Sequence, residues 1–111
     1  MQIEEKKLGN LLVVTILDKR LDASVAYEFK SQMETFISRG DRLILLDISQ
    51  VDFIDSSGLG AIVSSLKRLS GRGDILISGA REAVMRLFKL TRMNKVFRMF
   101  ESENDAIAAL S

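Results

Sequence analysis

The segment at residues 43–48, LILLDI, most limits what this chain can fold into. Five of its six residues are apolar, so it lacks the alternation of a half-exposed strand. Such a run reads as a strand covered on both sides, as in a parallel sheet flanked by helices. The segments around it agree. Residues 2–7 form a short candidate strand, Leu8-Gly9-Asn10 a turn, and residues 11–17 (LLVVTIL) a second strand, so the chain opens on a hairpin. Residues 18–22 are polar and end that strand.

A helix follows, which Asp22 or Ser24 can cap because their side-chain oxygens accept from free amides. Ala26, Phe29, Met33, Phe36 and Ile37 fall on one face. Gly40 stands where the residue after a helix C-cap belongs. Beyond the central strand, residues 56–69 read as a second helix and Ser70-Gly71-Arg72-Gly73 as a loop. Residues 75–77 are a short strand. Residues 80–90 are a helix with Val84, Leu87 and Phe88 on one stripe, and residues 96–100 an edge strand. Ser102 and Asp105 match a capping-box variant before a last helix with Ile107 and Leu110 inward. The order is ββαβαβαβα, an α/β fold with a mixed, mostly parallel sheet of four to five strands and about four helices. Sites in such sheets gather past the carboxyl ends of strands. The loops at 18–24 and 52–58 both lie there.

The 111 residues suit a single domain, 1–111. There is no cysteine and no histidine, which excludes disulfides, the usual zinc, copper and iron–sulfur ligand sets, and Ser-His-Asp or Cys-His nucleophiles. The expectation is a non-enzyme with no cofactor and no metal. No apolar stretch approaches 18 residues, and the charged start MQIEEKKLGN has no signal-peptide core. A cytoplasmic protein with no membrane contact is expected. Charge is uneven: residues 1–55 carry net −3 and residues 56–111 net +4.

The segment VDFIDSSGLGAIVSSLKRL (51–69) carries the functional reading. Leu59, Ile62, Val63, Leu66 and Leu69 repeat as a core face. Ser57, Ala61, Ser64 and Arg68, with Gly60 beside them, form the other side, uncharged until its end. Exposed helices usually carry Lys, Glu and Arg, so a small, flat ridge predicts a docking surface for a partner protein. Ser56 and Ser57 stand at the helix N-terminus, where a phosphate meets free N–H groups and the positive end of the helix dipole. It adds about −1.5 to −2 charges beside Asp55, and alters docking without unfolding the chain. Simple capping by Asp55 or Ser56 explains the Asp-Ser pair equally well, but not the uncharged ridge.

Residues 44–60, ILLDISQVDFIDSSGLG, resemble the signature of STAS domains, most closely the bacterial anti-sigma factor antagonists. The resemblance extends to Leu21-Asp22 and to VMRLFKLTRMNKVFRMF. It implies a STAS fold and an antagonist that binds an anti-sigma factor, itself a serine kinase, and so frees a sigma factor. ATP-dependent phosphorylation of the antagonist ends the complex, and a serine phosphatase restores it. By motif match the acceptor is Ser56. Asp22, Asp55, Ser57, Gly58, Leu59, Gly60, Ala61 and Ser64 make the partner surface of a protein expected to be a monomer. Lys19 stands where the family often has glycine, which bears on loop shape and choice of kinase.

Three other readings compete. Asp47, Asp52 and Asp55 are the acids of a receiver-like phosphoacceptor with magnesium, although a receiver does not open on two strands. Arg81, Arg86, Lys89, Arg92, Lys95 and Arg98 are a basic stretch for nucleic acid, but with no tyrosine, tryptophan or binding motif; no direct nucleic-acid contact is expected. A STAS module of a transporter or sensor is the third.

Overall fold

The apolar run at 43–48 lies at the centre of a five-stranded sheet. The structure is a computed structural model and describes residues 1–110. The elements are β1 (Ile3–Leu8), β2 (Leu11–Ile16), β3 (Arg20–Leu21), α1 (Ala23–Ser38), β4 (Leu43–Asp47), β5 (Phe53–Ile54), α2 (Ser56–Arg68), β6 (Asp74–Ser78), α3 (Glu82–Leu90), a 3-10 turn (Met93–Lys95), β7 (Arg98–Phe100) and α4 (Glu103–Leu110). The main sheet has the order β1-β2-β4-β6-β7. Only β1 and β2 run antiparallel, with Leu8 opposite Leu11 across Gly9-Asn10. The remaining pairs are parallel. The α/β class, the opening hairpin and the mostly parallel sheet are as expected.

Alternation along the central strands divides the core. Leu12, Val14, Ile16, Ile44, Leu46, Ile48, Ile75 and Ile77 face α1, α2 and α3 and join Phe29, Met33, Phe36, Ile62, Val84 and Phe88 in the larger core. Leu11, Val13, Leu45 and Leu76 face the other way and meet Ala106 of α4. So β4 is apolar on both faces because helices cover both. Ala106, rather than Ile107 or Leu110, is the fully buried residue of α4. Its first turn is capped by Ser102, whose Oγ accepts from the Asp105 N–H at 3.1 Å.

The end of α1 is built as its sequence reads. Gly40 has φ +109°, and its N–H donates to Ile37 O while the Asp41 N–H donates to Phe36 O, both at 3.1 Å. Together these close a Schellman motif, for which a positive φ and hence glycine is best suited. Asp41 is buried and bonds Lys7 of β1 and, at 2.6 Å, Arg39, which also reaches Glu5 at 2.8 Å. This network ties the edge hairpin to the end of α1.

Two elements differ from the sequence reading. Residues 18–22 are not only a loop, because Arg20 and Leu21 pair in parallel with Phe53 and Ile54 as a second, two-stranded sheet. Two-residue strands are too short for periodicity to reveal. The edge strand begins at Arg98, not 96, since residues 93–95 wind into a 3-10 turn after Arg92, which has φ +62°.

Candidate functional site

The small sheet β3–β5 decides the site. It places the loop before α1 directly against the loop before α2, at the carboxyl end of the main strands. Backbone bonds from Asp52 N to Lys19 O (2.7 Å) and from Asp55 N to Leu21 O (3.4 Å) lock the two loops together.

Asp55 makes the junction. Its backbone is extended, which ends the strand and starts the helix. Oδ1 accepts from the Gly58 N–H of α2 at 2.9 Å, and Oδ2 from the Ala23 N–H of α1 at 3.2 Å. One carboxylate therefore caps both helices. Asp22 caps α1 through Oδ1, which accepts from Ser24 N at 3.1 Å and from Ser24 Oγ at 2.5 Å. Its Oδ2 accepts from Arg20 Nε at 3.1 Å. The Ser24 and Arg20 hydrogen bonds hold the Asp22 carboxyl below the usual aspartate range. Arg20 also lies over the Phe53 ring, 4.2 Å from its centroid.

Ser56 and Ser57 form the first turn of α2 and are both exposed. Among the described residues neither hydroxyl has a hydrogen-bond partner, and their two amides precede the first intrahelical bond, from Leu59 N to Asp55 O. Open hydroxyls, unpaired amides and two nearby carboxylates thus share one corner. An oxyanion added there meets the amides and the helix dipole, and raises negative charge against which Arg20 is the adjacent cation.

The outward ridge is not the expected one. Ala61 is 2 % exposed and Leu59 6 %, so neither lies on a free surface. Gly58 is buried, and a Cβ there would fall 2.0 Å from Leu21 O. Ser65 is buried as well, its hydroxyl bonded to Ala61 O at 2.9 Å. These small residues fall at i, i+3 and i+7 and turn inward, toward β3 and α1. Their smallness serves close packing inside the molecule. The free ridge runs instead through Ser56, Ser57 and Gly60, past half-buried Val63 and Ser64, to Lys67. It remains uncharged up to Lys67. Arg68 is paired with Glu34 of α1 at 3.1 Å.

The structure adds residues that the sequence reading passed over. Tyr27 is 84 % exposed and Phe53 40 %. Tyr27 lies one turn after Ala23, which Asp55 holds, and Glu34 two turns further on meets Arg68, so Tyr27 flanks the ridge from α1. Its signal was present: it is an aromatic residue outside the apolar stripe of α1. The acids considered for a receiver do not converge. Asp47 holds the Ser49 amide at 2.9 Å, and Asp52 holds Arg81 at 2.5 Å. No group of three or more acids among the described residues is placed to hold a metal ion.

The STAS domain model matches residues 2–106, and the chain belongs to that family. An anti-sigma F factor antagonist of Paenibacillus polymyxa is 28% identical over 112 residues, covering 99% of this chain and 95% of the relative. An anti-sigma factor antagonist from Mycobacterium paratuberculosis has the same fold, with TM-score 0.88 at 19% identity over 97% of this chain and 92% of that one. The phosphorylated form of the Bacillus cell fate determinant SpoIIAA superposes with TM-score 0.75 at 18% identity, covering 99% of this chain and 100% of that one. Membership of the family excludes the receiver reading.

Proposed function

We propose that the chain is an anti-sigma factor antagonist, a single STAS domain over 1–111 without catalytic activity of its own. Its unphosphorylated form binds an anti-sigma factor that is also a serine kinase, and so releases a sigma factor. Phosphorylation of Ser56 ends the binding, and a serine phosphatase restores it. The carrying observation is the Ser56 hydroxyl, exposed and unbonded on the first turn of α2, where Asp55 joins two helix N-termini. Relatives named as antagonists and the phosphorylated SpoIIAA support this reading. No described helix is long and apolar enough to cross a membrane.

Docking uses Ser57, Gly60 and Ser64, with Tyr27 and Phe53 as flanking aromatics. Gly58, Leu59 and Ala61 are buried and shape that surface from beneath, while half-buried Asp22 and Asp55 border it through the helix caps. A phosphate on Ser56 places about −1.5 to −2 charges at this contact, and like charges across an interface cost several kcal/mol. The test is incubation with the cognate kinase and ATP, followed by mass mapping of the peptide 51–67. Phosphate on Ser56 is expected; phosphate on Ser57 alone contradicts the reading. Ser56→Ala keeps partner binding and loses phosphorylation, and Ser56→Asp binds at least about tenfold more weakly, which is only 1.4 kcal/mol. Equal affinity of Ser56→Asp and the unmodified chain in calorimetry rejects the switch.

A further inference from the structure

The stretch 83–100 contains no acidic residue and places Arg86, Lys89, Arg92, Lys95 and Arg98 at every third position. Among the described residues only Arg86 of these five is ion-paired, with Glu82 at 3.3 Å. Among the described residues the side chains of Lys89, Arg92 and Lys95 have no hydrogen-bond or ion-pair partner, and that of Arg98 has only the Phe100 ring, 5.3 Å away. Four cations are therefore left uncompensated, and three of them, Lys89, Lys95 and Arg98, line one groove. The corner lies along the β7 edge of the sheet, where Arg98–Phe100 pair with Leu76–Ser78.

The corner is concave. A groove of about 400 Å³ runs between α3 and β7, floored by Met85, Phe97 and Met99 and rimmed by Lys89, Lys95 and Arg98. Its wall is an open sheet edge, because β7 is the last strand and pairs only with β6. Phe100 O accepts from Gly79 N at 3.0 Å, which turns the Phe100 peptide inward. By alternation Met99 presents its N–H and C=O outward. Val96 and Leu90 are 48 % and 77 % exposed beside it. An open strand edge recognises an extended chain through its backbone, and the rim selects negative side chains by charge complementarity.

We propose that the groove between α3 and the free edge of β7 binds an extended, acidic segment of a partner protein. The cations that select it also repel a second copy of the same edge, a common guard on edge strands. A concave floor and an unpaired strand suit a peptide better than a flat lipid surface or a helical nucleic acid. The proposal uses a different face from the Ser56 switch and does not rest on it.

The test is titration of the full chain with a short peptide of alternating glutamate and valine, read by amide NMR shifts. Shifts centred on residues 89–99, Met99 included, are expected, and they weaken with added salt because exposed charges are screened over about 8 Å at physiological ionic strength. A lysine–valine peptide gives none. The double variant Lys89→Glu with Lys95→Glu, both on exposed sites and checked for an intact fold by circular dichroism, binds the peptide about tenfold more weakly or less, through like-charge repulsion. No shifts, shifts centred on α2, or unchanged affinity in the double variant overturns the proposal. Tighter binding of phosphatidylserine vesicles or duplex DNA through the same residues also overturns it.

Discussion

Asp55 holds two helix N-termini with one carboxylate, so its loss is felt twice. Each cap is worth about 0.5–2 kcal/mol, and Asp55→Ala is expected to cost about 2 kcal/mol in urea unfolding. Asp55→Asn keeps one acceptor oxygen and costs about half as much. The two glycines of α2 separate sharply. At Gly58 a Cβ meets Leu21 O at 2.0 Å; backbone cannot yield as a side-chain tip does, so Gly58→Ala forces β3 and α2 apart. At Gly60 nothing lies within 4 Å, and Gly60→Ala raises stability by up to about 1 kcal/mol, the helix-propensity difference. Gly60→Arg leaves the fold intact and blocks docking, if the free ridge is the contact surface. Ser78 belongs to the same scale. Its buried hydroxyl has no partner among the described residues, a state that costs about 1–3 kcal/mol. Ser78→Ala is therefore expected to raise the urea midpoint.

Among the elements, those with a long period were legible in the sequence. The stripe of α1 and the doubly covered β4 announce themselves because many residues repeat one environment. The strands β3 and β5 do not, since two residues carry no period, and their pairing is a tertiary event. That pairing is what places Asp22 and Asp55 side by side. Their shared loop position was readable from strand order, but Asp55's second bond, to α1, was not. The ridge of α2 differs from the sequence expectation for a related reason. Small residues signal close approach, but not whether the approaching surface belongs to the same chain. Here Ala61 and Ser65 face their own molecule. The two core layers also differ in strength. One face of the sheet meets three helices, whereas the other has α4 alone, with Ala106 as its one fully buried side chain. Local opening follows apolar burial, so amide hydrogen exchange in α4 is expected to outpace that in α1 and α2.

At the scale of the whole molecule, acid stability turns on carboxylates that tie distant parts together. Asp41 joins Lys7 of β1 to Arg39 at the end of α1, and Arg39 reaches Glu5. Burial pushes the Asp41 carboxyl up, but the Lys7 and Arg39 hydrogen bonds outweigh it and hold the group below its ordinary value. Asp22 is lowered too, by Ser24 and Arg20. A carboxylate depressed in the folded state binds its proton more readily when unfolded. Its contribution is therefore fully present above the unfolded value, about 3.9, and is lost as pH falls through the lower folded value. Asp22 is half-buried and its partner Arg20 is exposed, and pairs with an exposed member are worth little, so Asp41 dominates. Asp41→Asn is thus less stable than the unmodified chain at pH 7, but loses less on acidification. Urea midpoints measured downward from neutral pH are expected to converge below about pH 4. Parallel curves would mean that Asp41 is not the group whose protonation loosens the edge hairpin from α1.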